Sequence, residues 1–579
     1  MKHLFFYISF VLILISSIIS CFSENLPFLK GKYIFWLSVL CLIGVVIAIK
    51  NNSKTFKINI FDGVLLLLTV FGISHFLLFS KSTIYNNDLW NYIGYLILYL
   101  LLRNQLSTSE ITKKTLFILL YFCSGSALIN VFLMILQWKH WIAAPNEFFL
   151  TTGMFFSPNQ LGIFLSVGFL STYFLWQKTN VLWIKIVLVL SGILIFSGLC
   201  VTESRGAFIS LFVAMGYFLF NSKWNWQSYN KWILYSSMGL LLIGGLLFLS
   251  AVNQSKTEST SGRWFTTKQV LIQIAAKPFG YGLNSFSVEY NIAKAAYFEK
   301  TSNWEEMKNA GYIYKANNDL LELTFELGIP CMLFFLFFIV LLFWKKDKSI
   351  ETQIGRTLLL CLFVFSLTTS IITTPIFLIL ACICVVIIMN STHTKVIYEF
   401  ENRGIYRYIA VGLSLSFAFI IITRINAENK LFRLYEDKMY LKSESQLQSY
   451  ISKIDDKGEE FFMGGLILIK NGYVNEGFDY LQSGFERSGR PSLGRVLANG
   501  LQQQKKHTQA EKIYLYNKNV EPYRYEARMD LLNLFIETKQ DAKAKAMAQE
   551  IIQLPVKIQS PKIAGYKKEA KDYLNKFDN

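Results

Sequence analysis

The sequence predicts an all-α, polytopic membrane protein with a large extracytoplasmic loop and a carboxy-terminal helical-repeat domain. Three observations carry that prediction. Of 579 residues, 53% are hydrophobic and only 17% charged, a balance far from that of a soluble domain. Apolar runs near the ~20 residues that a helix needs to cross a bilayer recur along the first three quarters of the chain. Residues 425–579 then turn charged, with helical periodicity and an internal repeat.

Spans are expected near 4–22, 33–49, 61–80, 89–102, 115–137, 158–176, 181–200, 206–220, 232–250, 329–344, 356–372, 375–390 and 408–423, about 12–13 in all by the length criterion. Lys2 and the apolar run ending IISC have the form of a signal or lipoprotein segment. With so many spans following, an uncleaved first helix is expected. The net charge of +18 invites a nucleic-acid reading, but its placement argues for the lipid bilayer as partner and no nucleic acid. With the amino terminus in the cytoplasm, Lys50, Lys54, Lys57, Arg103, Lys113, Lys114, Lys345, Lys346, Lys348 and further basic residues fall in cytoplasmic loops. The short outer loops hold only Lys30, Lys32, Lys81, Lys139 and Arg205. This is the positive-inside bias. It places the loop 251–318 outside the cytoplasm, and the tail with it; an even number of spans would put the tail inside.

The eight cysteines all fall in or beside apolar spans. They suggest no disulfide framework or zinc spacing, and Cys382 and Cys384 read as lipid-facing packing. In the tail, NEGFDYLQSGFERSGRP, TQAEKIYLYNKNVEP and DAKAKAMAQEIIQLP align at Gly477, Ala510 and Ala544, in steps of 33 and 34 residues, and end at Pro491, Pro522 and Pro555. A small residue lets two helices pack closely and a proline stops the second. This pattern resembles tetratricopeptide repeats, whose arrays offer a concave surface to a protein partner. The membrane domain is read as 1–424 and the repeat domain as 425–579.

Within the loop, Trp264, Val270, Leu271 and Ile274 suit one face of a short helix lying on the membrane. Pro278 and Gly280-Tyr281-Gly282 end it. Ser157-Pro158-Asn159-Gln160 opens a span, and Ser157 or Asn159 suits a helix cap. Glu203 and Arg205 lie between two apolar runs. Ionisable residues at that depth mark function by default, although a short hairpin with a Glu203–Arg205 pair would also account for them. Arg suits phosphate, because its planar fork matches phosphate oxygens.

Four stretches in order, FFSPNQLGIFL, SRGAF, GRWFTTKQVLIQIAAKPFGYGLNSF and ANNDLLELTFELGIP, resemble the O-antigen ligase and polymerase superfamily, which includes pilin-type O-oligosaccharyltransferases. The resemblance covers about residues 60–390. It implies an inner-membrane glycosyltransferase that moves a glycan from a polyprenyl diphosphate, such as undecaprenyl diphosphate, onto lipid A core, a growing glycan or a protein. Arg205 and Arg263 match arginines that would hold the donor diphosphate. The loop has no Asp-x-Asp pair, and the activated donor calls for no nucleotide, so neither a metal nor a cofactor is expected. Where ligases keep a histidine, this chain has Asn317, with the family spacing to Gly328 intact. Asparagine is no proton acceptor at neutral pH. That leaves Asp319 and Glu322, three residues apart on one helical face, as candidate bases, with Asp319 nearer the outer surface and Glu326 deeper. The plainer reading has Asn317 capping a helix whose acids favour its positive end. From another class stands a transporter or flippase for a lipid-linked sugar, which would need a buried polar pathway and often symmetric halves. A membrane scaffold for the repeat domain is a third reading.

Overall fold

The computed structural model describes residues 2–22, 36, 39, 55–79, 87–106, 109–221, 257–344, 349–372, 374–391, 396–401, 405–437, 439–454 and 458–578. The expected spans 33–49 and 232–250 lie almost wholly outside these described residues. The membrane part contains α1 (Lys2–Phe22), β1 (Thr55–Asn59), α2 (Ile60–Phe79), α3 (Asn87–Gln105), α4 (Ser109–Trp138), α5 (Pro158–Lys178), α6 (Leu182–Val201) and α7 (Arg205–Asn221). The loop contributes α8 (Thr257–Ala276), α9 (Phe286–Lys300) and the single turn α10 (Trp304–Met307). Then follow α11 (Asp319–Trp344), α12 (Ile350–Ser366), α13 (Pro375–Ser391), β2 (Val396–Glu401) and α14 (Ile405–Tyr435). Among the described residues, α2, α4, α6 and α11 are long and apolar enough to cross a membrane, and α1, α3, α7 and α13 hold shorter apolar stretches. The protein is an all-α polytopic membrane protein; β1 and β2 pair antiparallel as its single described ribbon.

Long-range contacts sort the helix ends into two sets. On one face β1 pairs with β2, Asn390 Nδ2 donates to Leu106 O at 2.8 Å, and Gln353 Nε2 donates to Asn221 O at 3.3 Å. On the other, the starts of α5 and α7, the loop helices, the start of α11 and the α12–α13 connection meet. This is the same partition that alternating loops and the lysine–arginine count produce.

Three expectations are corrected here. The span placed at 356–372 ends at Ser366, and residues 367–372 leave the helix as part of a connection. Leu367, Ile371 and Ile372 made that stretch look apolar, but its backbone groups bond to side chains of other segments. Cys384 is buried among helices rather than facing lipid, and Cys382 packs against the same core. The presumed single face of α8 is two: Val270 and Ile274 are buried against α9 and α11, whereas Trp264 and Leu271 are exposed.

α14 runs through Arg424 without interruption and packs its last turns on α15 (Glu444–Ile451) and α16 (Glu459–Lys470). The hairpin of α16 with α17 (Val474–Ser488) is followed by α18 (Pro491–Gln503) with α19 (His507–Val520), then α20 (Glu526–Glu537) with α21 (Asp541–Gln553), and finally α22 (Pro561–Asp578). Gly477, Ala510 and Ala544 are buried where paired helices cross. A Cβ on Gly477 would lie 2.9 Å from Gly465 O. Pro491 does more than stop a helix: it is the first residue of α18, where its missing N–H leaves no bond unmade.

Candidate functional site

The site is built from a helix that breaks. α11 is interrupted at Gly328, with φ 85° and ψ 169°, a region that only glycine occupies readily. A break exposes backbone groups that need partners, and the motif Pro278–Gly282 supplies them. Tyr281 N donates to Phe325 O at 2.9 Å, Gly282 N to Glu326 O at 3.0 Å, and Ile329 N to Pro278 O at 2.8 Å. Gly280 has φ +87°, and a Cβ there would overlap Glu326 O. The side chain of Glu326 accepts from Phe286 N at 3.2 Å, which ties the start of α9 to the same break. His75, not singled out from the sequence, fastens the motif from α2, with Nε2 2.8 Å from Phe279 O. Beside the break lies an apolar groove of about 530 Å³, lined by Pro278, Phe279, Ile329, Pro330, Leu333, Phe334 and Phe337.

The connection between α12 and α13 is the hub. Arg263 Nη1 donates to Thr368 O at 2.9 Å. Gly206, beside Arg205, packs so close that a Cβ would collide with the Thr368 hydroxyl, itself fixed to Phe365 O at 2.9 Å. Asp319 Oδ2 accepts from Ile371 N at 2.9 Å. Gln160 Nε2 donates to Thr374 Oγ1 at 2.9 Å. All four sequence motifs therefore meet on the connection at Thr368, Ile371 and Thr374, a stretch that sequence reasoning missed because its letters pass for the end of a span. Its run of threonines and serine was the one available signal.

Arg263 and the start of α7, which bears Arg205, both meet Thr368. Burial, and then the positive charge of Arg205, lowers the Arg263 guanidinium below its usual range. Two guanidinium groups in one another's field suit a multiply charged anion. Glu203 is exposed in a left-handed conformation, φ 50°.

Asp319 lies deeper than expected, at 5% exposure, because it reaches into the hub rather than toward the surface. Oδ2 is committed to Ile371 N. Glu322 is engaged by the turn before the helix. Its Oε1 accepts from Lys315 Nζ at 3.0 Å and its Oε2 from Ala316 N at 3.1 Å, so it holds the turn that precedes α11. Helix capping falls to Asn318, whose Oδ1 accepts from Leu321 N at 3.1 Å, and not to Asn317. Asn317 is exposed at φ 53°, a left-handed conformation that asparagine tolerates better than most residues. Asn317→Gly is therefore expected to keep or raise thermal stability, and Asn317→Ala to lower it by about 1 kcal/mol. A large loss of activity in Asn317→Gly at unchanged melting temperature would instead give its side chain a chemical role.

A helical, multi-pass membrane protein with paired arginines and a buried carboxylate at one face is the class this geometry defines. A family model described as O-antigen ligase matches residues 190–336. The match runs from within α6 to within α11 and takes in Arg205, Arg263, Asn317, Asp319 and Glu322. It supports the O-antigen ligase superfamily and a glycan-transferring membrane function. No curated protein matches the chain.

Proposed function

We propose that the protein transfers a polyprenyl-diphosphate-linked glycan to a hydroxyl-bearing acceptor (lipid A core, a growing glycan or a protein) on the outer face of a bacterial inner membrane. The observation that carries this reading is that Arg263 and the start of α7, which bears Arg205, both meet Thr368 of the α12–α13 hub. In the reaction the bond between the sugar's anomeric carbon and the diphosphate oxygen breaks, and the acceptor oxygen bonds to that carbon. The diphosphate leaves with added negative charge, which preorganised guanidinium groups stabilise. The acceptor's proton goes to a base, and Asp319 is the carboxylate placed at the hub to take it, through Oδ1. Arg263 and Asp319 are held by backbone groups three residues apart, Thr368 O and Ile371 N. The apolar groove beside Gly328 fits a polyprenyl tail. Arg263, Asp319 and Gln160 converge on the α12–α13 connection at one face, the arrangement that group transfer needs.

Asp319→Asn separates chemistry from architecture, because an amide oxygen still accepts from Ile371 N. With purified protein and a lipid-linked donor, turnover should fall by about 10²–10⁴, the usual worth of a general base, at little change in melting temperature. Asp319→Ala should lose both. Wild-type turnover in Asp319→Asn would remove the base assignment, and absence of product from wild-type protein with any lipid-linked glycan would remove the function.

A further inference from the structure

The tail and the outer loop share one apolar core. Phe265, Phe298, Met307 and Ala310 of the loop are buried in the same cluster as Leu497, Tyr514 and their neighbours in the repeat helices. Phe265 stands two residues from Arg263, on the helix that delivers that arginine to Thr368. Polar contacts cover the same boundary. Tyr312 Oη donates to Ser488 O at 2.6 Å, Lys557 Nζ donates to Lys308 O at 2.7 Å, and the Arg490 guanidinium stacks 4.7 Å from the Tyr314 ring. Tyr314 precedes Asn317 by three residues, so the boundary reaches the entry to α11.

Lys294 of α9 is fully buried near this boundary, with Nζ donating to Asn291 Oδ1 at 2.8 Å and to Gly311 O at 2.5 Å. Burial holds its ammonium down to about 7, against the opposing charge of Glu521 at the end of α19. α9 lies along α19 and α17, the second helices of their hairpins. The loop's own helices, of 20, 15 and 4 residues, form too small a unit to bury these aromatics by themselves. Loop and tail thus lie on one side of the membrane, and that face of the repeat array is already occupied from within the chain.

We propose that the carboxy-terminal helices are a positioning module for the transfer site: they clamp α8 and α9 so that Arg263 meets Thr368 and residues 311–316 lead Asp319 into the hub. The tail then acts on the donor arginine through Phe265 and Ala310, not chiefly as a recruiter of partners. Only the activity arm of the test rests on the proposed transfer function.

The test places a charge in the shared core of the full-length protein, Ala310→Glu, with Ala310→Ser as the conservative partner. Amide exchange across residues 261–276 should accelerate about tenfold or more, as expected when a packed unit opens locally, while α20 and α21 keep their protection. The donor KM should rise by about tenfold or more, since small displacements of a binding group cost large factors, and Ala310→Ser should behave as wild type. If Ala310→Glu does not accumulate, the double variant Tyr312→Phe with Lys557→Ala loosens the same boundary without a buried charge, and a smaller change in the same direction is expected. Wild-type exchange in 261–276 in whichever variant accumulates overturns the proposal. So does accelerated exchange at 261–276 with an unchanged donor KM. If wild-type protein transfers no glycan, the exchange measurement still decides whether the tail orders the loop.

Discussion

Replacing Arg205 or Arg263 with alanine is expected to lower glycan transfer by at least about 10², the scale on which losing one preorganised donor to a developing charge is felt. Arg263 is oriented by its bond to Thr368 O, and a guanidinium has five N–H donors, so that bond leaves others for phosphate oxygens. Arg205 lies close enough for its charge to act on Arg263. Like charges held together raise the free energy of the empty site and lower it when a diphosphate arrives. Lysine at either position should recover little, because a point charge lacks the fork that binds two oxygens at once. Inorganic diphosphate should compete with the donor in wild-type protein and compete weakly in either alanine variant. The comparison requires equal accumulation in the membrane and equal melting temperature. Full transfer by both alanine variants would mean that the leaving group is held elsewhere and would remove the proposed role of the hub.

Gly328→Ala is the second large effect. At φ 85° and ψ 169° a side chain costs about 1–3 kcal/mol in backbone strain alone. Its Cβ would also lie 2.6 Å from the carbonyl carbon of Phe279. Both pressures favour closing the break, which would strip Tyr281 N, Gly282 N and Pro278 O of their partners. Each such orphaned buried group costs a further ~1–3 kcal/mol. The motif would then release α9 and the turn before Asp319. The expected result is a fall of several degrees or more in melting temperature in detergent, and transfer reduced by ~10² or more per folded molecule, since displaced catalytic groups lose such factors. Gly216→Ala is the control, because an added methyl there meets nothing within 4 Å. A Gly328→Ala protein with wild-type melting and transfer would show that the break is dispensable.

The helices and their grouping were legible in the residues. Apolar runs placed most described spans within a few residues. Lysine and arginine counts sorted the connections into the same two sets that pair in space, and the 33- and 34-residue steps marked the small residues at the hairpin crossings. The five candidate site residues came from motifs, and the structure ties Arg263 and Asp319 to one hub, against which Gly206, next to Arg205, also packs. Glu322 and Asn317 lie at the turn leading into it, with Glu322 engaged by Lys315 and Ala316.

What the sequence by itself determined about this protein is what neighbouring residues decide: where the chain is helical, which stretches prefer lipid and which loops share a face. These are set by period, hydropathy and conformational preference over a few residues. Only the tertiary structure decided that residues 367–372 belong to a hub rather than the end of a span, that Asn318 rather than Asn317 caps α11, that Asp319 is buried, and that the tail shares a core with the loop. Each depends on partners far away in the chain: Arg263 and Thr368 are 105 residues apart, Asp319 and Ile371 52, and Tyr312 and Ser488 176. A carbonyl or an amide has no letter of its own, so the side chain that satisfies it becomes visible only when folding brings the two together.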